Sequence, residues 1–316
     1  MSYAQFGLIQ ASDFNTLAGG NPTTTSGTIN AVWATGGTNA GYGQTAVANV
    51  SAGGTVTASN WANIVNNTAN SASHQGTSIT SVTAPSSGGT VTYLSAVPTN
   101  LTTIYTSRLN AASQGSTSAN AVSTVATWSD KAVWTHTVTF ANGDAARYFF
   151  NSGGQLKVTC SHPTGTGINL LLNNLASNVG TVVMSSPTSG SVTIASTSYN
   201  GITKVGGGGN APTVSTNTGY YALTISNVSV FTQTASTGPS GYLSTNINVT
   251  VKSNGTQGSN GDAGSVITIY TTWDEIPNGL VVATGSTTTV TAQAPETTYL
   301  GNSWGSITVA GSVAVV

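Results

Sequence analysis

Charge is what this sequence has least of. Only 13 of its 316 residues are Asp, Glu, Lys or Arg, and the formal net charge is -1. A soluble globular domain usually carries about 25% charged residues. A folded body of this mass exposes roughly 12,000 Å² of surface, so even with every charge outside there is about one per 900 Å². A protein partner that covers about 800 Å² would therefore meet about one charge.

This scarcity excludes several classes of partner. Nucleic-acid binding needs several Lys or Arg side chains against phosphates, and no two basic residues are adjacent in this chain. Docking on an anionic membrane surface fails for the same reason. No run approaches the roughly 18 apolar residues of a membrane span, and the mean hydropathy is only +0.07. We therefore expect neither nucleic acid nor membrane as a partner.

Cysteine and export signals are also scarce. Cys160 is the only cysteine, so no internal disulfide can form. Residues 1–7 (MSYAQFG) show neither the basic nor the apolar region of a secretory signal. Surfaces rich in Ser, Thr and Asn but poor in charge are typical of extracellular adhesins and virus particles. Without an export signal, this composition favours a protein made in a host cytoplasm and released by lysis.

Aromatic residues, in contrast, are plentiful. The chain has six Trp, eleven Tyr and six Phe, and 38% of its residues are hydrophobic. Disordered chains are typically charged and poor in aromatics. The sequence therefore predicts a folded protein whose surface is covered by Ser, Thr and Asn.

The N-terminal part contains two similar segments, Ile9–Leu17 and Val56–Ile64. Each has Ser before an acidic or amide residue and then an aromatic, a pattern that predicts helix starts with Ser12 and Ser59 as N-caps. The apolar faces of these helices would carry Phe14, Leu17, Trp61 and Ile64. The second helix is expected to stop at Gly76, and a third to run from Pro98 to Gly115.

From about residue 120 the apolar pattern changes to period two. Trp134, His136 and Val138 alternate with Thr and Val, which is typical of a half-buried strand. The predicted fold is mainly β, with short N-terminal helices and extended linkers over 1–118 followed by an antiparallel β-sandwich over 119–316. The strands expected are 148–151, 155–160, 181–184, 191–195, 220–232, 242–252, 265–273, 280–283, 287–292 and 306–316. The leucine-rich segment 167–177 is either a short helix or a buried crossing segment.

No motif for catalysis or metal binding emerges. The three histidines lack partners at metal-ligand spacing, and Gln257–Asp262 faintly resembles a calcium turn but holds one carboxylate. The G-x-S-x-G match at Gly301–Gly305 is followed by no His or acid, so it is not a nucleophile elbow. Asp144 and Arg147 are close enough to pair across a turn, with Arg147 satisfying buried carbonyl groups. We expect no catalytic residue, no metal and no cofactor.

The segment Asp144–Lys157, with the sequence DAARYFFNSGGQLK, resembles a segment of structural proteins from tailed bacteriophages. His74-Gln-Gly-Thr77 and Arg108-Leu-Asn110 fit the same resemblance, which covers residues 55–160. It implies a virion or tail-fibre structural protein and no catalytic residues. Within the segment, Arg147, Tyr148, Phe149, Phe150, Gly153 and Gly154 are predicted to be structural. On a strand, Phe149 and Phe150 would be buried on opposite faces, and the glycines would form a tight reversal.

The resulting hypothesis is a non-enzymatic component of a phage tail, neck or fibre. Its N-terminal region would dock on other virion proteins and the β domain would project. Short helices are marginal alone, so Phe14, Leu17, Trp61 and Ile64 are predicted to form the docking surface or the seam of a homo-oligomer, with a trimer favoured. A capsid decoration protein is the alternative.

Two other classes remain open. An adhesin that binds a glycan of the host surface would use exposed aromatics beside hydroxyl and amide groups. The residues proposed for this role are Trp273, Tyr299 and Trp304. A glycosidase would need a pair of carboxylates, and the seven acidic residues are scattered.

Overall fold

The computed structural model describes residues 10–88, 91, 95–277 and 282–316. Ile9 of the first predicted helix and Leu280 of one predicted strand lie outside these residues. The helices are α1 (Ala11–Ala18), α2 (Ile29–Val32), α3 (Ala58–Gln75), α4 (Ala96–Thr106), α5 (Gly143–Asn151) and α6 (Ile168–Val179), with a 3₁₀ turn at Tyr220–Ala222.

Fifteen strands are described. They are β1 (Gln114–Thr124), β2 (Thr127–Trp128), β3 (Lys131–Thr139), β4 (Gln155–Ser161), β5 (Thr181–Met184), β6 (Val192–Ile194), β7 (Thr197–Tyr199), β8 (Ile202–Val205), β9 (Thr213–Val214), β10 (Val228–Thr234), β11 (Asn246–Ser253), β12 (Val266–Asp274), β13 (Ala283–Thr284), β14 (Thr287–Pro295) and β15 (Thr308–Val315). The chain is mainly β, as predicted.

The strands form two main antiparallel sheets. One has the order β1-β14-β4-β5-β8, and the other β15-β3-β12-β11-β10-β9. The pairs β13-β2 and β6-β7 are small additions. Every described pairing between these strands is antiparallel, for example Thr137 opposite Thr268 and Ala121 opposite Val290. The boundary predicted at 118/119 falls inside β1.

The two sheets share one apolar core. Along β3, alternate residues are buried, so Trp134, His136 and Val138 point inward as predicted. The leucine-rich segment is helix α6, whose Leu171 and Leu175 are fully buried. It packs against β4 of one sheet and against β10 and β11 of the other. Of the two alternatives for this segment, the short helix is confirmed, and with α5 it places two helices within the predicted β region 119–316.

The outward-facing residues of both sheets include many threonines. Thr135, Thr137 and Thr139 alternate with buried residues on β3, and Thr287, Thr289 and Thr291 do so on β14. Because Thr137 also lies opposite Thr268 of β12, the hydroxyls form rows across the strands. The predicted covering of hydroxyl side chains is thus present on both sheets.

The N-terminal helices begin earlier than predicted. Helix α3 is capped by Thr57, whose Oγ1 accepts from Asn60 N–H at 3.2 Å, and it ends at Gly76 with φ 68°. Helix α1 follows Gln10. The N-caps are therefore two residues before Ser12 and Ser59, because the caps are the residues with extended backbone at the turn into each helix. Helix α4 ends at Thr106, and Gly115 lies in β1.

The apolar faces of α1 and α3 meet each other in a second core. Phe14 and Trp61 contact edge to face with ring centroids 5.8 Å apart, and Leu17 and Ile64 are buried with them. Leu300, from the segment before β15, completes this core. The chain itself covers the four side chains predicted to face a partner. The argument that they need a neighbouring chain is therefore wrong.

Candidate functional site

The segment Asp144–Gly154 is hydrogen-bonded to the N-terminal region, and most of it is helix α5. Asn142 caps the helix, since its Oδ1 accepts from Ala145 N–H at 2.8 Å. The strand predicted at 148–151 is therefore wrong. The sequence places polar residues at helical spacing here, at Asp144, Arg147 and Asn151, but the three consecutive aromatics favoured a strand.

Arg147 is fully buried and ties α5 to the N-terminal region. Its Nη2 lies 2.9 Å from Asp144 Oδ1, and its Nη1 donates to the carbonyl of Ala40 at 2.7 Å. The predicted ion pair and the predicted role in satisfying a buried carbonyl are both present, within a helical turn rather than across a hairpin. The guanidinium also lies 4.7 Å from the centre of the Tyr148 ring. A buried charge needs such partners to offset its lost hydration.

Asn151 and Tyr148 make further contacts between α5 and the N-terminal region. Asn151 Nδ2 donates to the carbonyl of Gly41 at 3.0 Å, and Tyr221 donates its hydroxyl hydrogen to Asn151 Oδ1. The Tyr148 ring lies against Gly43, where a Cβ would come within 2.4 Å of a ring carbon. Only glycine fits there, and its φ of 69° is also one that glycine adopts most readily.

The two phenylalanines of α5 pack into the apolar core of the β region. Phe149 and Phe150 are both fully buried, as predicted, with ring centroids 5.0 Å apart. Phe150 stacks on Tyr220 at 4.3 Å. Because they are neighbours on a helix, they enter one shared core rather than opposite faces of a strand.

The glycines end the helix rather than reverse a hairpin. Gly153 has a φ of 88°, and a Cβ there would lie 2.6 Å from Ala111 Cβ. Gly154 N–H donates to the carbonyl of Phe149 at 2.8 Å. His74 of α3 reaches this turn, and its Nε2 lies 3.2 Å from the Ser152 carbonyl oxygen. Since a carbonyl can only accept, His74 carries its hydrogen on Nε2.

Two of the three proposed glycan-binding aromatics are buried. Trp273 is fully buried beside Trp134, at a centroid distance of 5.5 Å, and Trp304 is 2% exposed. A ring inside the core cannot stack on a sugar, so both assignments are wrong. Tyr299 is 41% exposed and is the one member of the set that solvent reaches.

One constellation escaped the sequence analysis. His162 Nδ1 lies 2.8 Å from Ser286 Oγ, and its Nε2 lies 3.0 Å from Asn169 Oδ1. No sequence signal could reveal it, because Ser286 is 124 residues from His162. Ser286, His162 and Asn169 are arranged like the nucleophile, the base and the orienting residue of a catalytic triad. Ser286 is nevertheless fully buried and accepts a hydrogen bond from Trp128 Nε1 at 2.8 Å. The group therefore completes a buried hydrogen-bond network with no access for a substrate.

The remaining polar groups that the sequence singled out are also used internally. Ser303 of the G-x-S-x-G match donates its hydroxyl hydrogen to the carbonyl of Tyr42. In the loop 257–262, Asp262 Oδ2 accepts from Ser259 N–H at 2.7 Å. Within the described residues no group of three or more His, Cys, Asp or Glu could hold a metal ion.

None of the helices in the described part of the chain is both long enough and apolar enough to cross a bilayer. Comparison with protein-family models, with curated proteins and with solved structures gave no match.

Proposed function

We propose that this chain is a non-enzymatic structural protein of a tailed-phage virion. It would be an outer component of the tail, neck or fibre. The observation that carries the proposal is the use of the segment Asp144–Gly154. The residues that resemble phage structural proteins are those that join the N-terminal helices to the β region, through Arg147 and Asn151. A segment that makes such contacts serves architecture rather than chemistry.

The distribution of polar groups supports the same proposal. The histidines and the buried serine that could take part in catalysis are held in internal hydrogen bonds or in the core. The outward faces of the sheets offer threonine hydroxyls rather than charges. Such surfaces suit a permanent interface made from hydrogen bonds and apolar contacts, since few charged groups would have to lose water on assembly.

Self-association is part of the proposal, with a trimer favoured. Strand β15 lies at the edge of its sheet, and most of its residues are exposed. Natural edge strands are usually protected by charges, proline or bulges, and Thr308–Val315 contains neither charge nor proline. We therefore place the oligomer contact at this edge instead of at the buried faces of α1 and α3. Ala310→Lys should reduce the mass measured by sedimentation to that of the monomer.

Quantitative mass spectrometry of purified phage particles tests the assignment. The particles come from lysates of the host that carries the gene. A copy number of tens or fewer, relative to the major capsid protein, supports the tail or neck position. Hundreds of copies would support the alternative, a capsid decoration protein. Absence of the chain from purified particles contradicts both.

A further inference from the structure

The sequence contains five Asn-Gly pairs, and four of them lie within the described residues, beginning at Asn142, Asn200, Asn254 and Asn260. Asparagine is a thermolabile residue, because the backbone nitrogen of the next residue can attack its side-chain Cγ and release the amide as ammonia. A glycine in the next position has no side chain to hinder this approach. The surroundings of each pair therefore decide whether it reacts.

Two of the four asparagines have their side chains fixed by hydrogen bonds. Asn142 Oδ1 accepts from Ala145 N–H at 2.8 Å, as the N-cap of α5. Asn254 Oδ1 accepts from the backbone N–H groups of Ser265 and Val266, both at 2.9 Å. Ring closure would first have to break these bonds, so both side chains are protected.

In the pair Asn200-Gly201 the attacking nitrogen is the protected group. Gly201 N–H donates to the carbonyl of Thr216 at 2.8 Å. Gly201 is also buried, and a Cβ there would lie 2.4 Å from the backbone nitrogen of Gly219. Neither the hydrogen bond nor the packing leaves this nitrogen free to turn toward the asparagine.

Asn260 has none of these restraints. Asn260 and Gly261 are both exposed, in a turn that is closed by Asp262 N–H donating to the Ser259 carbonyl at 3.3 Å. Among the described residues, the Asn260 amide has no protein hydrogen-bond partner. Gly261 N–H makes only long contacts, 3.3 Å to each carboxylate oxygen of Asp144. These distances exceed the usual range for an N–H···O bond, so the nitrogen is weakly held.

We propose that Asn260 is a site of spontaneous deamidation, with water as the only co-reactant. The Gly261 nitrogen loses its hydrogen as a proton and bonds to Asn260 Cγ. The Cγ–Nδ2 bond breaks, and the released nitrogen leaves with that proton as ammonia. Water then opens the five-membered imide at either of its carbonyl carbons. The products carry an aspartyl or an isoaspartyl residue at position 260.

The reaction changes how this loop contacts α5. The isoaspartyl product has one extra backbone carbon before Gly261, which moves the Gly261 N–H away from Asp144. Asp144 in turn pairs with the buried Arg147 at 2.9 Å. Both products also add one negative charge to a chain whose formal net charge is -1. In so weakly charged a chain, a single added carboxylate is readily separated by anion exchange.

This site does not depend on the virion role, because the purified chain alone can be tested for it. The folded chain is incubated at about 37 °C, at pH 6 and at pH 8.5, and its acidic forms are separated by anion exchange. Fragmentation spectra of chymotryptic peptides then locate the gain of about 1 Da. We expect it first at position 260, at least about tenfold faster than at 142, 200 or 254. The rate should be higher at pH 8.5, since the attacking nitrogen must lose its hydrogen.

Two variants and an unfolded sample complete the test. Asn260→Gln keeps an exposed amide but would need a six-membered ring, so the first acidic form should disappear. Asn66→Gln changes an exposed amide of α3 that is followed by Asn67, and it should leave the rate unchanged. In concentrated urea the four pairs should react at similar rates, because the fold no longer protects three of them.

Equal reaction at 260 and at any of the other three positions in the folded chain overturns the proposal. Persistence of the first acidic form in Asn260→Gln also overturns it. A tenfold advantage of position 260 that remains in urea would contradict the protection assigned to the other pairs.

Discussion

At the scale of single residues, two buried groups, Arg147 and His74, find their partners in backbone carbonyls far away in the chain. Arg147 is fully buried, yet its charge is offset by Asp144 and by the Ala40 carbonyl. His74 is held by the Ser152 carbonyl. These residues can be singled out in the sequence as isolated charges or histidines. Their partners cannot, because Ala40 and Ser152 contribute backbone carbonyls that any residue type could supply.

The burial of Phe150 was predicted correctly, although it lies on a helix rather than on the predicted strand. Its ring is fully buried and stacked on Tyr220. Phe150→Ala should lower the free energy of unfolding by about 3–5 kcal/mol, as expected when a core ring leaves a cavity. Urea denaturation followed by tryptophan fluorescence measures this change. The control is Tyr299→Ala, which removes a largely exposed ring and should change stability by less than about 0.5 kcal/mol. A loss below 1 kcal/mol for Phe150→Ala would contradict its place in the core.

Two buried histidines make stability depend on pH. Burial lowers the pKa of His74 and of His136 from 6.5 to about 4. The folded state therefore favours the neutral rings, and the unfolded chain takes up protons first as the pH falls. Their contribution is complete above pH 6.5 and is lost between pH 6.5 and 4, by about 3 kcal/mol for each histidine.

Denaturation at pH 7.5, 6 and 4.5 tests this dependence. His74→Gln keeps an amide hydrogen for the Ser152 carbonyl but cannot take up a proton. We expect the variant to be less stable at pH 7.5 yet to lose less stability on acidification than the unaltered chain. The same pH dependence of stability in both proteins would show that folding does not lower the pKa of His74.

At the scale of elements, the sequence prediction succeeds for strands with one buried face and fails for helix α5. Strands β3, β11 and β12 each have one buried face, and their alternation was enough to predict them. Helix α6 has a run of leucines that admitted either a helix or a crossing segment. In α5, Arg147 and Asn151 are as buried as the Phe residues, while Asp144 and Tyr148 stay partly exposed. Its polar residues recur at helical spacing, but three consecutive aromatics favoured a strand.

The N-cap of α5 provides a test of the helix. Asn142→Ala removes the side-chain acceptor for Ala145 N–H and should lower stability by about 0.5–2 kcal/mol. Asn142→Asp keeps an acceptor and adds a negative charge at a helix N-terminus, so it should remain close to the unaltered chain. Thermal unfolding followed by circular dichroism measures both. Equal losses for Ala and Asp would indicate that the side chain does not act as a cap.

At the scale of the whole molecule, cohesion depends little on charge. The structure describes two ion pairs, and the one between Lys131 and Asp274 is partly exposed at 3.5 Å. Exposed pairs of this kind contribute little to stability. Apolar cores, strand pairing and hydrogen bonds to backbone carbonyls provide the rest. The composition predicted this feature correctly, since a chain with 13 charged residues can form few ion pairs.

Salt is the corresponding test. Between 50 and 500 mM sodium chloride, we expect the free energy of unfolding to change by less than about 0.5 kcal/mol, because screening acts mainly on exposed charges. Urea titrations at both concentrations and at fixed pH give the comparison. The proposed oligomer should be equally insensitive in sedimentation experiments. Loss of more than about 2 kcal/mol at the higher concentration would show that electrostatic contacts hold the fold together.

The segment before β15 has a consequence for the order in which the protein can fold during synthesis. Leu300 completes the N-terminal core, and Gln44 exchanges hydrogen bonds with Gly301 across 257 residues. Strand β1 likewise pairs with β14, and β3 pairs with β15, so each needs a strand that is synthesised much later. Contacts between such distant residues form slowly, since a long loop must close first. The N-terminal core therefore stays incomplete until Leu300 and Gly301 have left the ribosome, so this core cannot close while only the N-terminal region has been synthesised.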